Sequence, residues 1–123
     1  MTKNLQPDDH LKKFLIPAFE RKAKSIIAID VENLTTYTDT LIIIEAHSQR
    51  QVTAIAEHII TSSKKRKMYS LGTEGLKEGE WVLLDYGDVL IHVFESETKS
   101  YYNLEGLWAD APRYDLAELK TET

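Results

Sequence analysis

The stretch TLIIIEAHSQRQVTAIAEHII, residues 40–60, constrains this chain more than any other. Its first part, TLIIIEA (40–46), is a short β-branched apolar run, and so is SIIAIDV (25–31); both predict strands. Neither alternates apolar with polar, so both are expected to be buried on two faces, with helices covering the sheet. The second part predicts the clearest helix of the chain. Ser48, with Gln51 three residues on, makes a capping box, and Val52, Ile55, Ala56, Ile59 and Ile60 form one apolar stripe. The helix is expected to end near SSKKRK (62–67), where basic side chains suit the negative end of its dipole.

The remaining segments extend the pattern. Asp8 or Asp9 can cap an opening helix carrying Leu11, Phe14, Leu15 and Ala18, which Pro17 is expected to kink or divide. MYSLG (68–72) predicts a short strand and TEGLKEG (73–79) a turn. WVLLDY (81–86) and VLIHVF (89–94) predict two more strands, and SETKSYYNLEGLW (96–108) a helix. The polar tail, 113–123, is expected to fray. The order α-β-β-α-β-β-β-α predicts one α+β domain over residues 1–123, with its core at about 8–112: a mixed sheet of about five strands flanked by helices.

Composition narrows the functional classes. There are 123 residues and no cysteine, so disulfides and thiolate metal sites are excluded. No apolar run approaches membrane-spanning length, and MTKNLQPDDHLKK has no apolar signal core, so a cytoplasmic protein without a membrane partner is expected. The net charge of −5 argues against binding nucleic acid mainly through phosphates and leans toward a protein partner, including a basic one.

EGEWVLLDYGDVLIHVF (78–94) carries the candidate site. A two-residue turn at Gly87-Asp88, with glycine first, favours type II′. Val82, Leu84, Tyr86, Val89, Ile91 and Val93 then share an apolar face. Trp81, Leu83, Asp85, Leu90, His92 and Phe94 share the other. Three readings compete for this mixed face: a helix-covered face with a structural Asp85–His92 hydrogen bond, an acid–base pair, or a binding surface anchored by Trp81. No nucleophile or oxyanion donor set is recognisable, so Trp81 reads as an anchor and the pair as structural. In the last helix Tyr101, Leu104 and Trp108 are expected in the core, and Tyr102 with Asn103 nearer solvent.

Other candidates are weaker. The four histidines, His10, His47, His58 and His92, lack ligand spacing, so no metal is expected. Asp30 and Asp39 lie near strand ends but without a close Asp-x-Asp pair, and read as loop caps. Lys64, Lys65, Arg66 and Lys67 suit a helix C-terminus, with a secondary RNA contact as the functional alternative.

EGEWVLLDYGDVLIHVF followed by YYNLEGLWADAP resembles the signature of the ribosomal silencing factors, the Iojap-like family. IAIDVENL and DTLIIIEAHSQRQVTAIAEHI fall where that family has its Leu-Asp-Val strand and its helix start, so the likeness covers roughly residues 10–113. Glu45-Ala46-His47 departs from the family's Thr-Gly, and Pro17 is also unusual. The resemblance implies a nucleotidyltransferase-like topology without the catalytic residues, no cofactor and no turnover. It implies binding to the large ribosomal subunit on its fourteenth ribosomal protein, which blocks joining of the small subunit. The residues carried over are Trp81, Asp85, Tyr86, Gly87 and Asp88 in the hairpin, with Gly87 as the turn residue, and Tyr102, Asn103 and Leu104 in the tail. A divergent magnesium-dependent nucleotidyltransferase using Asp30, Asp39 and Asp85 is the enzymatic alternative, and an assembly adaptor is the third. An exposed binding patch also allows a homodimer of the free protein.

Overall fold

A computed structural model describes residues 5–122; residues 1–4 and 123 of the expected domain lie outside the described residues. The element order is α1 (Asp9–Glu20), β1 (Ser25–Asp30), β2 (Thr40–Ala46), α2 (Gln49–Lys65), β3 (Gly72–Glu74), β4 (Trp81–Asp85), β5 (Val89–Glu95), α3 (Ser96–Tyr102), α4 (Leu104–Leu107) and α5 (Ala117–Glu122). The five strands form one mixed sheet in the order β1-β2-β5-β4-β3. Only β2 and β5 run parallel; the remaining pairs are antiparallel. The expected single α+β domain with a five-stranded mixed sheet is what the chain forms.

The central position of β2 follows from its composition. Leu41 to Ile44 are all nearly inaccessible, because Ile42 and Ile44 face one layer while Leu41 and Ile43 face the other. On the first side, α1 and α2 pack with Phe14, Leu15, Val52, Ile55 and Ile59 against Val82, Leu84, Ile91 and Val93. Each such burial stabilises the fold by on the order of 2 kcal/mol.

Local signals work largely as expected at the helix starts. Asp8 Oδ1 accepts the Leu11 N–H at 2.9 Å and Ser48 Oγ accepts the Gln51 N–H at 3.1 Å. Gln51 does not close the box on Ser48. Its Oε1 takes the His47 N–H at 2.6 Å, while Nε2 donates to the Arg21 and Lys22 carbonyls, tying α2 to the end of α1.

Several expectations are corrected. Pro17 sits buried inside α1 without dividing it. MYSLG is not the third strand, which begins at Gly72 and pairs with β4. The expected helix 96–108 breaks at Asn103, whose φ of 46° is left-handed, separating α3 from α4. A Cβ on Gly106 would lie 2.6 Å from the Asn103 side-chain nitrogen, so a larger residue there would have to turn that side chain aside. The tail does not fray before α5. Asp30 N–H donates to the Pro112 carbonyl, Tyr114 N–H to Ala28, and Leu119 is buried against α1. A polar segment docks here because its backbone satisfies the outer edge of β1.

Candidate functional site

The β4–β5 hairpin has the expected register. Trp81 faces Phe94, Val82 faces Val93, Leu83 faces His92 and Leu84 faces Ile91. Gly87 takes φ 84° while Asp88 stays at negative φ, which suits glycine in the first turn position. The two faces therefore divide as the alternation requires. Val82, Leu84 and Tyr86 join the helix-covered core, and Trp81, Leu83, Leu90 and Phe94 form a second apolar cluster on the opposite side.

That second side is only partly covered. α3 and α4 cross one end, where Leu104 and Trp108 pack against the cluster. Ion pairs hold them: Lys99 bridges Glu105 of α4 and Glu45 of β2, and Arg113 reaches Glu105 at 3.8 Å. Burial pulls the Glu45 carboxyl up, but hydrogen bonds from Ser96 and Ser25 together with Lys99 and Lys24 outweigh it, and its pKa lies below the ordinary value. Glu45 is thus an anchor for α3 over this face.

Between α4 and the loop 31–38 the sheet is left open as a groove of about 400 Å³. Trp81, Leu83, Leu90 and His92 form its floor, Leu104, Leu107 and Trp108 one wall, and Tyr37 and Thr38 the other. Trp81 stacks on Phe94 with ring centroids 4.9 Å apart and leans on Tyr102 at 4.6 Å. Its indole N–H donates to His92 Nδ1 at 2.9 Å. Burial lowers the His92 pKa from 6.5 to about 4, so the ring is neutral at physiological pH.

The expected Asp85–His92 hydrogen bond is absent among the described residues. Asp85 Oδ1 instead accepts the Gly87 N–H at 2.8 Å, serving the turn. Trp81 and Asp85 stand on the same face at equal distance either side of Leu83, the residue opposite His92, and it is the indole N–H that meets Nδ1 while Asp85 is held by its own turn. Tyr101, expected in the core, is 77% exposed, and Tyr102 is the tyrosine that packs on Trp81. The helix break at Asn103 resets the angular spacing, so a single stripe through 101, 104 and 108 does not form.

Of the residues singled out in the sequence, Trp81, Tyr102 and Leu104 gather around the groove. Asn103 is the joint between α3 and α4. Tyr86 lies on the other face, where it packs on Phe14 at 4.7 Å and burial raises its phenol pKa. Asp88 sits at the turn, within 2.9 Å of His10 Nε2, and its carbonyl accepts from Asp39 and Thr40. Lys64 to Lys67 are exposed at the end of α2, a helix on the opposite face. Asp30 caps the Glu32 N–H at 3.1 Å, as read from sequence. No group of three or more metal-ligating His, Asp or Glu side chains forms among the described residues.

The sequence reading missed Tyr37 and Leu107, both 73% exposed beside the groove, and Leu34, 55% exposed in the adjoining loop. Each is a lone apolar residue in a polar or short helical segment, so no periodic signal reveals it.

Fold and face together define the class: a small α+β domain whose mixed sheet is sealed by helices on one side and bears an aromatic-floored groove on the other. The chain belongs to the family described as "Ribosomal silencing factor during starvation", whose pattern it matches over residues 4–123. It is 41% identical over 97 residues to the ribosomal silencing factor RsfS of Bacillus subtilis, covering 79% of this chain and 82% of that one. It is 32% identical over 99 residues to the chloroplastic Iojap protein of Zea mays, covering 80% of this chain and 43% of the larger plant protein. A crystal structure from Bacillus halodurans superposes with a TM-score of 0.78 at 30% identity, covering 88% of this chain and 98% of that one. Another, from Chromobacterium violaceum, gives 0.77 at 36% identity over 85% of this chain and 88% of the other.

Proposed function

We propose that this chain is a non-enzymatic repressor of translation. It binds the large ribosomal subunit through its fourteenth ribosomal protein and sterically prevents the small subunit from joining, under starvation or in stationary phase. Family membership supports the ribosomal role. The observation that carries the partner-binding part is the open sheet face, where Trp81 and Leu104 line an apolar groove and Tyr102 packs on Trp81. Trp and Tyr dominate interface hot spots because they bury large area at low entropic cost. Asp85 stands on this face at its turn end, with the Asp88 carboxylate turned to His10 of α1, and the net charge of −5 favours a basic protein partner. Asn103 contributes by setting the angle of α4. Lys64, Lys65, Arg66 and Lys67 would make at most a peripheral rRNA contact, and the free protein can pair through the same open face.

No helix among the described residues is long and apolar enough to cross a membrane, and the working compartment is read as the cytoplasm. An enzyme is disfavoured because Asp30 and Asp85 each cap a local backbone N–H. A second reading, a role in building the subunit, draws on one relative: a mouse protein named "Mitochondrial assembly of ribosomal large subunit protein 1", 31% identical.

Gradient sedimentation with isolated subunits tests the proposal. Wild type should travel with large subunits and reduce joined ribosomes, and folded Trp81→Ala should do neither. Wild-type protein remaining at the top of the gradient would overturn it.

A further inference from the structure

The groove holds one polar group with unfinished business. His92 is only 7% exposed, and its Nδ1 accepts the Trp81 indole N–H. An indole nitrogen can only donate, so Nδ1 carries no proton and the single hydrogen of the neutral ring sits on Nε2. Desolvation keeps the ring neutral, so this tautomer persists through the physiological range. The Nε2–H has no acceptor among the described residues, although the ring lines the groove. The Nε2–H opens on the groove, where water can accept it in the free protein, so an occupant that displaces this water must supply an acceptor or leave the donor unpaired.

We propose that the groove receives one apolar side chain of the ribosomal protein partner, and that His92 Nε2–H donates to the backbone carbonyl of that same segment. The inference rests on the repressor reading above and names the chemistry of its contact. Three features favour a protein segment flanked by basic residues. A peptide carries a carbonyl beside every apolar side chain, so one insertion answers both the cavity of about 400 Å³ and the free N–H. The groove walls Tyr37 and Leu107 are each 73% exposed and Leu34 lies exposed in the adjoining loop, apolar surface that a small ligand filling the groove would leave wet but a protein would cover. No charged residue lines the groove, while Glu74, opposite Leu83, and Asp85 stand on the same sheet face beside it. Acids at the rim and none within suit an apolar anchor with Lys or Arg alongside.

Isolated large subunits and the purified fourteenth large-subunit ribosomal protein serve as probes. Tyr37→Ala and Leu107→Ala, both at exposed positions, should each weaken binding about tenfold with unchanged thermal stability. His92→Leu should weaken it at least tenfold, whereas His92→Gln, which keeps an acceptor for Trp81 and a donor for the partner, should stay within about threefold. Because His92→Leu can also disturb packing, ¹⁵N NMR of the wild-type imidazole gives an independent readout. The free protein should show the Nε2–H tautomer, and binding should move that resonance downfield in the proton dimension. Normal ribosome binding by Tyr37→Ala and Leu107→Ala, or an imidazole unmoved on binding, would overturn the groove assignment while leaving the repressor reading intact. Groove variants that alter only self-association would likewise overturn it, by assigning the face to a second copy. Failure of wild type to bind either probe would overturn both readings together.

Discussion

The two faces of the sheet are built from similar strands and end in different states. On the side of α1 and α2, alternating residues from every central strand meet two amphipathic helices, and almost nothing remains accessible. On the side of α3 and α4 the strands also carry large apolar residues, with Asp85 and His92 among them, yet their cover is a seven-residue helix, a four-residue helix and a loop. The difference is one of supply. A 17-residue helix can span the sheet and present a full stripe, whereas short helices broken at Asn103 reach only one end. The sealed face therefore serves stability, and the open one keeps apolar surface available.

Variants on the two faces should separate these roles. Phe14→Ala, on the sealed face, is expected to cost about 3–5 kcal/mol of folding stability, because it removes a buried ring between α1 and the hairpin. Denaturant titration reads this directly, and a loss under 1 kcal/mol would mean that the two faces do not differ as described. The open face should show its own signature in acid. His92 has its folded-state pKa lowered from 6.5 to about 4 by burial. Below pH 6.5 the unfolded chain takes up a proton that the folded chain refuses. The stabilisation is thus complete above about pH 6.5 and is lost as pH falls toward 4, by up to about 3 kcal/mol. Comparing wild type with His92→Leu across that window should show the variant's stability falling less steeply; parallel curves would assign the acid sensitivity elsewhere.

Trp81→Ala should leave the secondary structure intact by circular dichroism and cost about 2 kcal/mol or more of ribosome binding. Gross unfolding would show that the stack on Phe94 and Tyr102 belongs to the core. The smallest effect is expected at the hairpin tip, where both faces end. Gly87→Ala should cost about 1 kcal/mol, from forcing a side chain into positive φ, and thermal melting would detect it.

Periodicity made much of this molecule readable in advance. The two-sided burial of TLIIIEA, the stripe of α2 and the alternation of the hairpin each repeat a local geometric rule over several residues, so these faces and the pairing within the hairpin followed without tertiary knowledge. The hairpin signature with its aromatic tail likewise carried the family, which membership over residues 4–123 bears out. The readings that failed concern side chains with more than one satisfactory partner. Asp85 could serve His92 or its own turn, and the nearer backbone N–H won. Tyr101 and Tyr102 are neighbours on one helix, and only the break at Asn103 decides which of them reaches Trp81.

What the sequence by itself determined, then, is the first two helices, the four strands β1, β2, β4 and β5, the division of the hairpin into two faces and the family. Each of these depends on patterns within a few residues along the chain or on a contiguous motif. Only the tertiary structure decided that Trp81 and His92 share a hydrogen bond, that the tail closes the edge of β1, and that Tyr37 and Leu107 flank a groove with Trp81. Those pairings join segments separated by up to about 85 residues, and they are settled by which packing satisfies the most polar groups at once, a condition that no local pattern encodes.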